Sequence, residues 1–212
     1  MSPSPSALLA DHPDRIRWNA KYECADPTEA VFAPISWLGD VLQFGVPEGP
    51  VLELACGRSG TALGLAAAGR CVTAIDVSDT ALVQLELEAT RRELADRLTL
   101  VHADLCSWQS GDGRFALVLC RLFWHPPTFR QACEAVAPGG VVAWEAWRRP
   151  IDVARDTRRA EWCLKPGQPE SELPAGFTVI RVVDTDGSEP SRRIIAQRFT
   201  VNGPWLYAHV LC

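Results

Sequence analysis

The chain is 212 residues long, 47% apolar and 22% charged, with 21 Lys and Arg against 26 Asp and Glu, for a formal net charge of −5. That length and balance describe one ordinary globular domain and exclude a largely disordered chain. The mild acidity offers no whole-chain field for nucleic acid or an anionic membrane, so a small neutral or cationic partner is expected. No apolar run reaches the roughly 18–20 residues that span a bilayer. The opening Met1-Ser-Pro-Ser-Pro-Ser6 has no signal-peptide layout, so a cytoplasmic location is expected. The eight cysteines contain no C-x-x-C pair, and Cys120 and Cys133 sit in apolar runs. Reduced thiols are expected. His12, His102, His125 and His209 are scattered without zinc spacing, so no metal is expected.

Residues 1–14, rich in Ser, Pro and Asp, read as a flexible arm before a single domain over 15–212. A short helix is predicted over 15–24 and another over 34–42, followed by a turn at 45–50. An alternation then begins. Val51–Ala55 reads as a buried strand, Thr61–Ala68 as a helix stopped at Gly69, and Cys71–Ile75 as a strand ending at Asp76. Ser78 caps a helix predicted over 79–95, and strands follow at Leu98–His102 and Phe115–Cys120. A helix is predicted over Phe129–Val136, a break at Pro138-Gly139-Gly140, and a strand over Val141–Ala146. Residues 151–175 read as irregular. Phe177–Val183 and Arg193–Phe199 read as a hairpin, and the tail 201–212 as a further strand. This order predicts an α/β fold: a Rossmann-like, doubly wound, mostly parallel seven-stranded sheet with an antiparallel C-terminal hairpin.

In such sheets ligands bind beyond the carboxyl ends of the strands, where strand order reverses. The first strand runs into Glu53-Leu-Ala55-Cys56-Gly57-Arg58-Ser59-Gly60, whose small residues let the backbone turn sharply against a ligand. Asp76 ends the second strand, where a carboxylate can accept two hydrogen bonds from ribose hydroxyls. Asp104 follows the third strand, placed to accept from an exocyclic purine amine.

Taken together, Glu53-Leu-Ala-Cys-Gly57, Asp76-Val77-Ser78, His102-Ala-Asp104-Leu105 and Ala137-Pro-Gly-Gly140 resemble the class I S-adenosylmethionine-dependent methyltransferases over about residues 15–200. Trp18-Asn19-Ala-Lys-Tyr22 adds a likeness to small bacterial enzymes of the tellurite-resistance and thiopurine type. The resemblance implies S-adenosylmethionine as cofactor and methyl transfer to a small-molecule acceptor. It implies that Ala55, Cys56 and Gly57 lie under the methionyl part and that Glu53 holds the loop and the cofactor amine. Asp76 would bind the ribose, Val77 would pack on the adenine, and Asp104 and Leu105 would meet the adenine edge. Cys120 and Arg121 would flank the sulfonium and the acceptor, while Trp18 and Tyr22 would close a lid. Two positions depart from the family pattern: Ser59 stands where Gly is common, and Ala116 where an Asp is common.

His125, in Arg121-Leu-Phe-Trp-His125-Pro-Pro127, is the candidate general base, with capping of the next helix as the plainer role. Arg121 either binds an acidic substrate group or pairs with Glu145. Trp144 and Trp147, flanking Glu145, wall the pocket or fill core. The run Arg148-Arg149 with Arg155, Arg158 and Arg159 reads as solvated loop charge. Two other functions fit the same elements: a non-catalytic cofactor-binding sensor or partner subunit, and an NAD-dependent oxidoreductase. The latter rests on Ala55-x-Gly57-x-x-Gly60, one substitution from a dinucleotide fingerprint. A carboxylate inside the first strand speaks against it.

Overall fold

A computed structural model of the protein describes residues 9–24, 32–111, 113–148, 162–187 and 189–200. The predicted tail strand, most of the arm and the arginines at 149, 155, 158 and 159 lie outside them. The elements are α1 (Pro13–Glu23), α2 (Leu38–Leu42), β1 (Val51–Leu54), α3 (Gly60–Ala67), β2 (Val72–Asp76), α4 (Asp79–Arg91), β3 (Leu98–His102) and β4 (Phe115–Arg121). After these come α5 (Pro126–Glu134), β5 (Val136–Arg148), β6 (Cys163–Leu164), β7 (Phe177–Thr185) and β8 (Ser191–Arg198). The eight strands form one sheet in the order β3-β2-β1-β4-β5-β8-β7, with β6 paired to β5. β1 to β5 run parallel, and β8 and β7 are antiparallel, as the sequence pattern predicts.

Both faces of the sheet are covered, which is why β1 is apolar except at Glu53 and β4 except at its last residue, Arg121. Leu52, Leu54, Val118 and Cys120 pack on one face with Phe129 and Trp144. Val51, Leu117 and Leu119 pack on the other with Trp37, Val41 and Leu63. The order of strands reverses between β1 and β4, so the crevice opens at their carboxyl ends.

Several boundaries differ from the sequence reading. α1 starts at Pro13, inside the predicted arm, because proline suits the first helical turn. α2 holds only the second half of the helix predicted over 34–42. α4 stops at Arg91, not 95. Glu93 takes a left-handed conformation (φ 59°), and Leu94 and Glu93 donate back to the Ala89 and Thr90 carbonyls. The same closure ends α3 at Gly69, as expected. The helix predicted over Phe129–Val136 is α5, which starts earlier, on Pro126-Pro127, and yields Val136 to β5. Pro138-Gly139-Gly140 does not end a segment. Phe115 pairs with Val136 and Leu117 with Val141, so the four residues between bulge out of a continuous β5. β6 is too short for any periodicity to reveal it.

Candidate active site

The cleft at this crevice has a volume of about 550 Å³, within the range of small-molecule sites. Its floor comes from the β1–α3 loop and the end of β2. Its far wall comes from residues 121–124 and Trp147, and α1 forms its roof.

The floor is built around two buried carboxylates. Asp76 accepts from the Gly57 N–H at 2.7 Å and from the Ser78 N–H at 2.8 Å, tying the loop after β1 to the end of β2. Burial raises it above the ordinary aspartate value against those two bonds. Both Glu53 carboxylate oxygens lie 2.8 Å from the Ser59 hydroxyl. That hydroxyl also accepts from the Ala62 N–H at 2.9 Å, capping α3. Burial pushes Glu53 up to about 7, and among the described residues no cation pairs with it. Ser59 is therefore a partner of Glu53 as well as a helix cap. The signal for it in the sequence was its place just before a helical run.

The loop itself is strained. Ala55 and Gly57 have φ of 50° and 52°, and Leu122 across the cleft has 59°. Non-glycine residues in this region cost energy and collect at functional sites. A side chain at Gly57 would also meet the Tyr22 hydroxyl at 2.2 Å, and one at Gly60 would meet the backbone of Phe32 and Ala33 at 2.3–2.4 Å. Burial raises the Tyr22 phenol above its usual value, so it stays protonated.

α1 buries no residue fully and is held by polar contacts. Arg15 reaches Asp79 at 2.7 and 2.9 Å, Asn19 donates to Asp79 at 2.7 Å, and Ser78 donates to Asn19 at 2.7 Å. Arg15 holds Asp79 down to about 2. This clamp, absent from the sequence reading, sets Trp18 and Tyr22 over the cleft with their rings stacked at 6.3 Å.

The remaining sequence candidates divide. Cys56, Val77, Leu105 and Arg121 line the cleft; Asp104, Cys120 and His125 do not. Asp104 accepts from the Cys106 N–H at 3.0 Å, closing its own turn, and its other oxygen lies 4.0 Å from His12. Cys120 sits in the core, and burial pushes its thiol and that of Cys56 well up. His125 Nδ1 lies 2.8 Å from the Thr128 hydroxyl, which donates to the Leu105 carbonyl, so Nδ1 carries the proton. Arg121 donates through Nε to Glu145 at 3.0 Å and lines the cleft with an exposed guanidinium. Trp144 is core, edge-on to Phe129 at 5.1 Å, whereas Trp147 lines the cleft. Sequence reasoning also missed Arg17, Lys21, Arg58 and Trp162 on the cleft wall.

Residues 51–140, which carry β1 to the bulge of β5, match the family described as "Methyltransferase domain". Over those residues the chain is similar to a methyltransferase domain. A 2-heptyl-1-hydroxyquinolin-4(1H)-one methyltransferase of Mycobacteroides abscessus is 29% identical over 122 residues, 54% of this chain and 53% of that protein. The match thus spans about half the length of that relative. TehB from Haemophilus influenzae is similar in structure, with a TM-score of 0.62 at 16% identity, covering 76% of this chain and 62% of that one. Magnesium protoporphyrin IX methyltransferase from Synechocystis PCC 6803, solved with bound SAH, has a TM-score of 0.59 at 17% identity, covering 87% and 83%. At such identities these structures speak for the fold. The matched residues carry the crevice floor; α1 and the walls beyond residue 140 lie outside them.

Proposed function

We propose that the protein is an S-adenosylmethionine-dependent methyltransferase acting on a small molecule. One observation carries the reading. Among the described residues Glu53 is a buried carboxylate with neutral donors alone, the Ser59 hydroxyl and the Ala62 N–H, set beneath a left-handed loop at the crevice. Such a group is costly to bury and is stabilised by an arriving cation. The α-ammonium of S-adenosylmethionine is such a cation. The residues present fit the rest of the molecule: Ala55 and Gly57 keep the floor low, Asp76 retains lone pairs toward the cleft beyond its two backbone bonds, and Val77 and Leu105 offer an apolar seat for a purine. Neighbouring folds that hold SAH support the same choice.

When bound, the cofactor supplies an activated methyl group on a sulfonium. The chain's task is then alignment and exclusion of water. Asp76 fixes the loop and Glu53 anchors one end. Tyr22 and Trp18 cover the site from α1, and Arg121, Phe123 and Trp147 wall the acceptor side. An acceptor on that wall would take the methyl group by in-line displacement, with no side chain forming a covalent bond.

The test is calorimetric titration with S-adenosylmethionine and, separately, NADH, on wild type and Asp76→Ala. Micromolar binding of the first alone, lost on substitution while the melting curve stays cooperative, is expected. NADH binding alone would make the protein an oxidoreductase. S-adenosylmethionine binding without methyl transfer to any thiol, phenol, amine or metalloid oxyanion would favour a sensor.

A further inference from the structure

Four cations line the acceptor side of the cleft beside Asp14 and Glu189, although the chain is acidic overall. Arg17 and Lys21 project from one face of α1, Arg58 from the β1–α3 loop and Arg121 from the end of β4. Among the described residues, Arg17, Lys21 and Arg58 form no salt bridge with a carboxylate. They are held over rings instead. The Arg17 Cζ lies 4.3 Å from the Trp162 centroid and 5.1 Å from that of Trp18. The Lys21 Nζ lies 4.4 Å from Trp18, and the Arg58 Cζ 5.2 Å from Tyr22. Arg121 shares its one carboxylate, Glu145, with Arg193.

Electrostatics agree with the geometry. Burial first, then the charge of Arg17, lowers Lys21 below its ordinary value. Arg58 and Arg121 act in the same sense, and of the groups facing it only Glu189 opposes them. A cluster held together by aromatic faces, its mutual repulsion at Lys21 offset only in part by Glu189, is stabilised by an anion.

We propose that the acceptor is a flat aromatic molecule bearing an acidic hydroxyl, bound and methylated as its oxyanion beside Arg17, Lys21 and Arg121. This rests on the methyltransferase reading above. The rings of Trp18, Trp147 and Trp162 suit a planar body, and the cations keep its oxygen ionised. Among the described residues no histidine lines the cleft, and an acceptor that arrives as an anion needs no general base. An oxygen lone pair forms the new O–C bond while the C–S bond breaks and its electron pair returns to sulfur. Oxyanion and sulfonium both become neutral, so the methylated product loses its hold on the cations and departs.

The probe is para-nitrophenol, whose phenolate absorbs visible light, added to full-length protein with SAH. SAH binding is followed in the same samples by calorimetry. The expected result is a bound probe that ionises about one pH unit lower than in water. Lys21→Gln and Arg17→Gln, on an exposed helix face, should bind SAH as wild type does yet hold the phenolate about tenfold more weakly. The uncharged para-nitroanisole should bind less than the phenolate in wild type. SAH binding with no ionisation shift, or with a shift that both variants retain, overturns the anionic acceptor alone. No SAH binding overturns the cofactor reading and this inference with it.

Discussion

Glu53 and Glu145 are two buried strand carboxylates in one sheet, 7% and 2% exposed, and they behave in opposite ways. Burial pushes both up. For Glu145 it is outweighed by hydrogen bonds from Arg193 and Ser191, each at 2.8 Å, and by the charge of Arg121, so Glu145 stays below its usual value. The Trp37 indole adds a fourth donor at 3.3 Å. Glu53 has only neutral donors among the described residues, the Ser59 hydroxyl and the Ala62 N–H, and rises to about 7. The difference separates structure from site. A carboxylate with its cations built in joins β5 to β8 and α2's approach; one without them is, on the function proposed above, the seat for a cation from outside.

The contrast can be broken from either side. The largest effect is expected at Glu145→Ala, which leaves Arg193 and Trp37 unpaired: about 3 kcal/mol less stability in urea unfolding. S-adenosylmethionine affinity, measured on the folded fraction, should hardly change. Glu53→Gln should do the reverse, with stability held or raised and affinity down about tenfold.

The pH dependence sharpens the same point. Glu53 titrates at about 7 in the fold, above its reference of 4.5, so its contribution to stability is present below 4.5 and lost as pH rises to about 7. Cofactor affinity should run the other way, strengthening as pH rises through about 7, because the ionised form meets the ammonium. Calorimetry at several pH values should show this slope in wild type and its absence in Glu53→Gln.

Ser59→Ala removes both the α3 cap and the donor to Glu53. About 1 kcal/mol of stability should go, and the midpoint of the affinity–pH curve should move up. The smallest effect is expected at Asp79→Asn, which weakens the part-exposed clamp on α1. A loss of cofactor affinity of about twofold to fivefold is expected, without change in unfolding. Because Arg15 holds Asp79 down to about 2, the clamp should persist at mildly acid pH and fail only as pH falls from the usual aspartate range toward 2.

Much of this was legible in the sequence because it is local. The apolar runs at 51–55 and 115–120 reflect strands covered on both faces, and helix ends are marked by Ser78 through its side-chain hydroxyl and by Gly69 through its positive φ. Glu53, Ala55, Gly57 and Asp76 could be picked out because strand ends at a switch point are where such folds bind ligands. Boundaries failed where a distant partner decided them. Pro138-Gly139-Gly140 looks like a stop, yet pairing with β4 carries the strand past it. Ser59 looked like a flaw in the loop until Glu53 lay against it.

The roles of charged and aromatic side chains were decided only by tertiary structure. Trp144 and Trp147 are three residues apart on one strand; one fills core and the other walls the cleft. His125 sits in the expected loop but is spent on Thr128. A net charge of −5 pointed to a neutral or cationic partner, whereas the cleft sets four cations from α1, the β1–α3 loop and the end of β4 beside Asp14, Glu53, Asp76 and Glu189. Periodicity and turn chemistry act between neighbours in the chain, so the sequence determined the elements and their order by itself. Coulomb energy and burial depend on distance through space, and those distances exist only once the sheet has closed and α1 has been clamped across it.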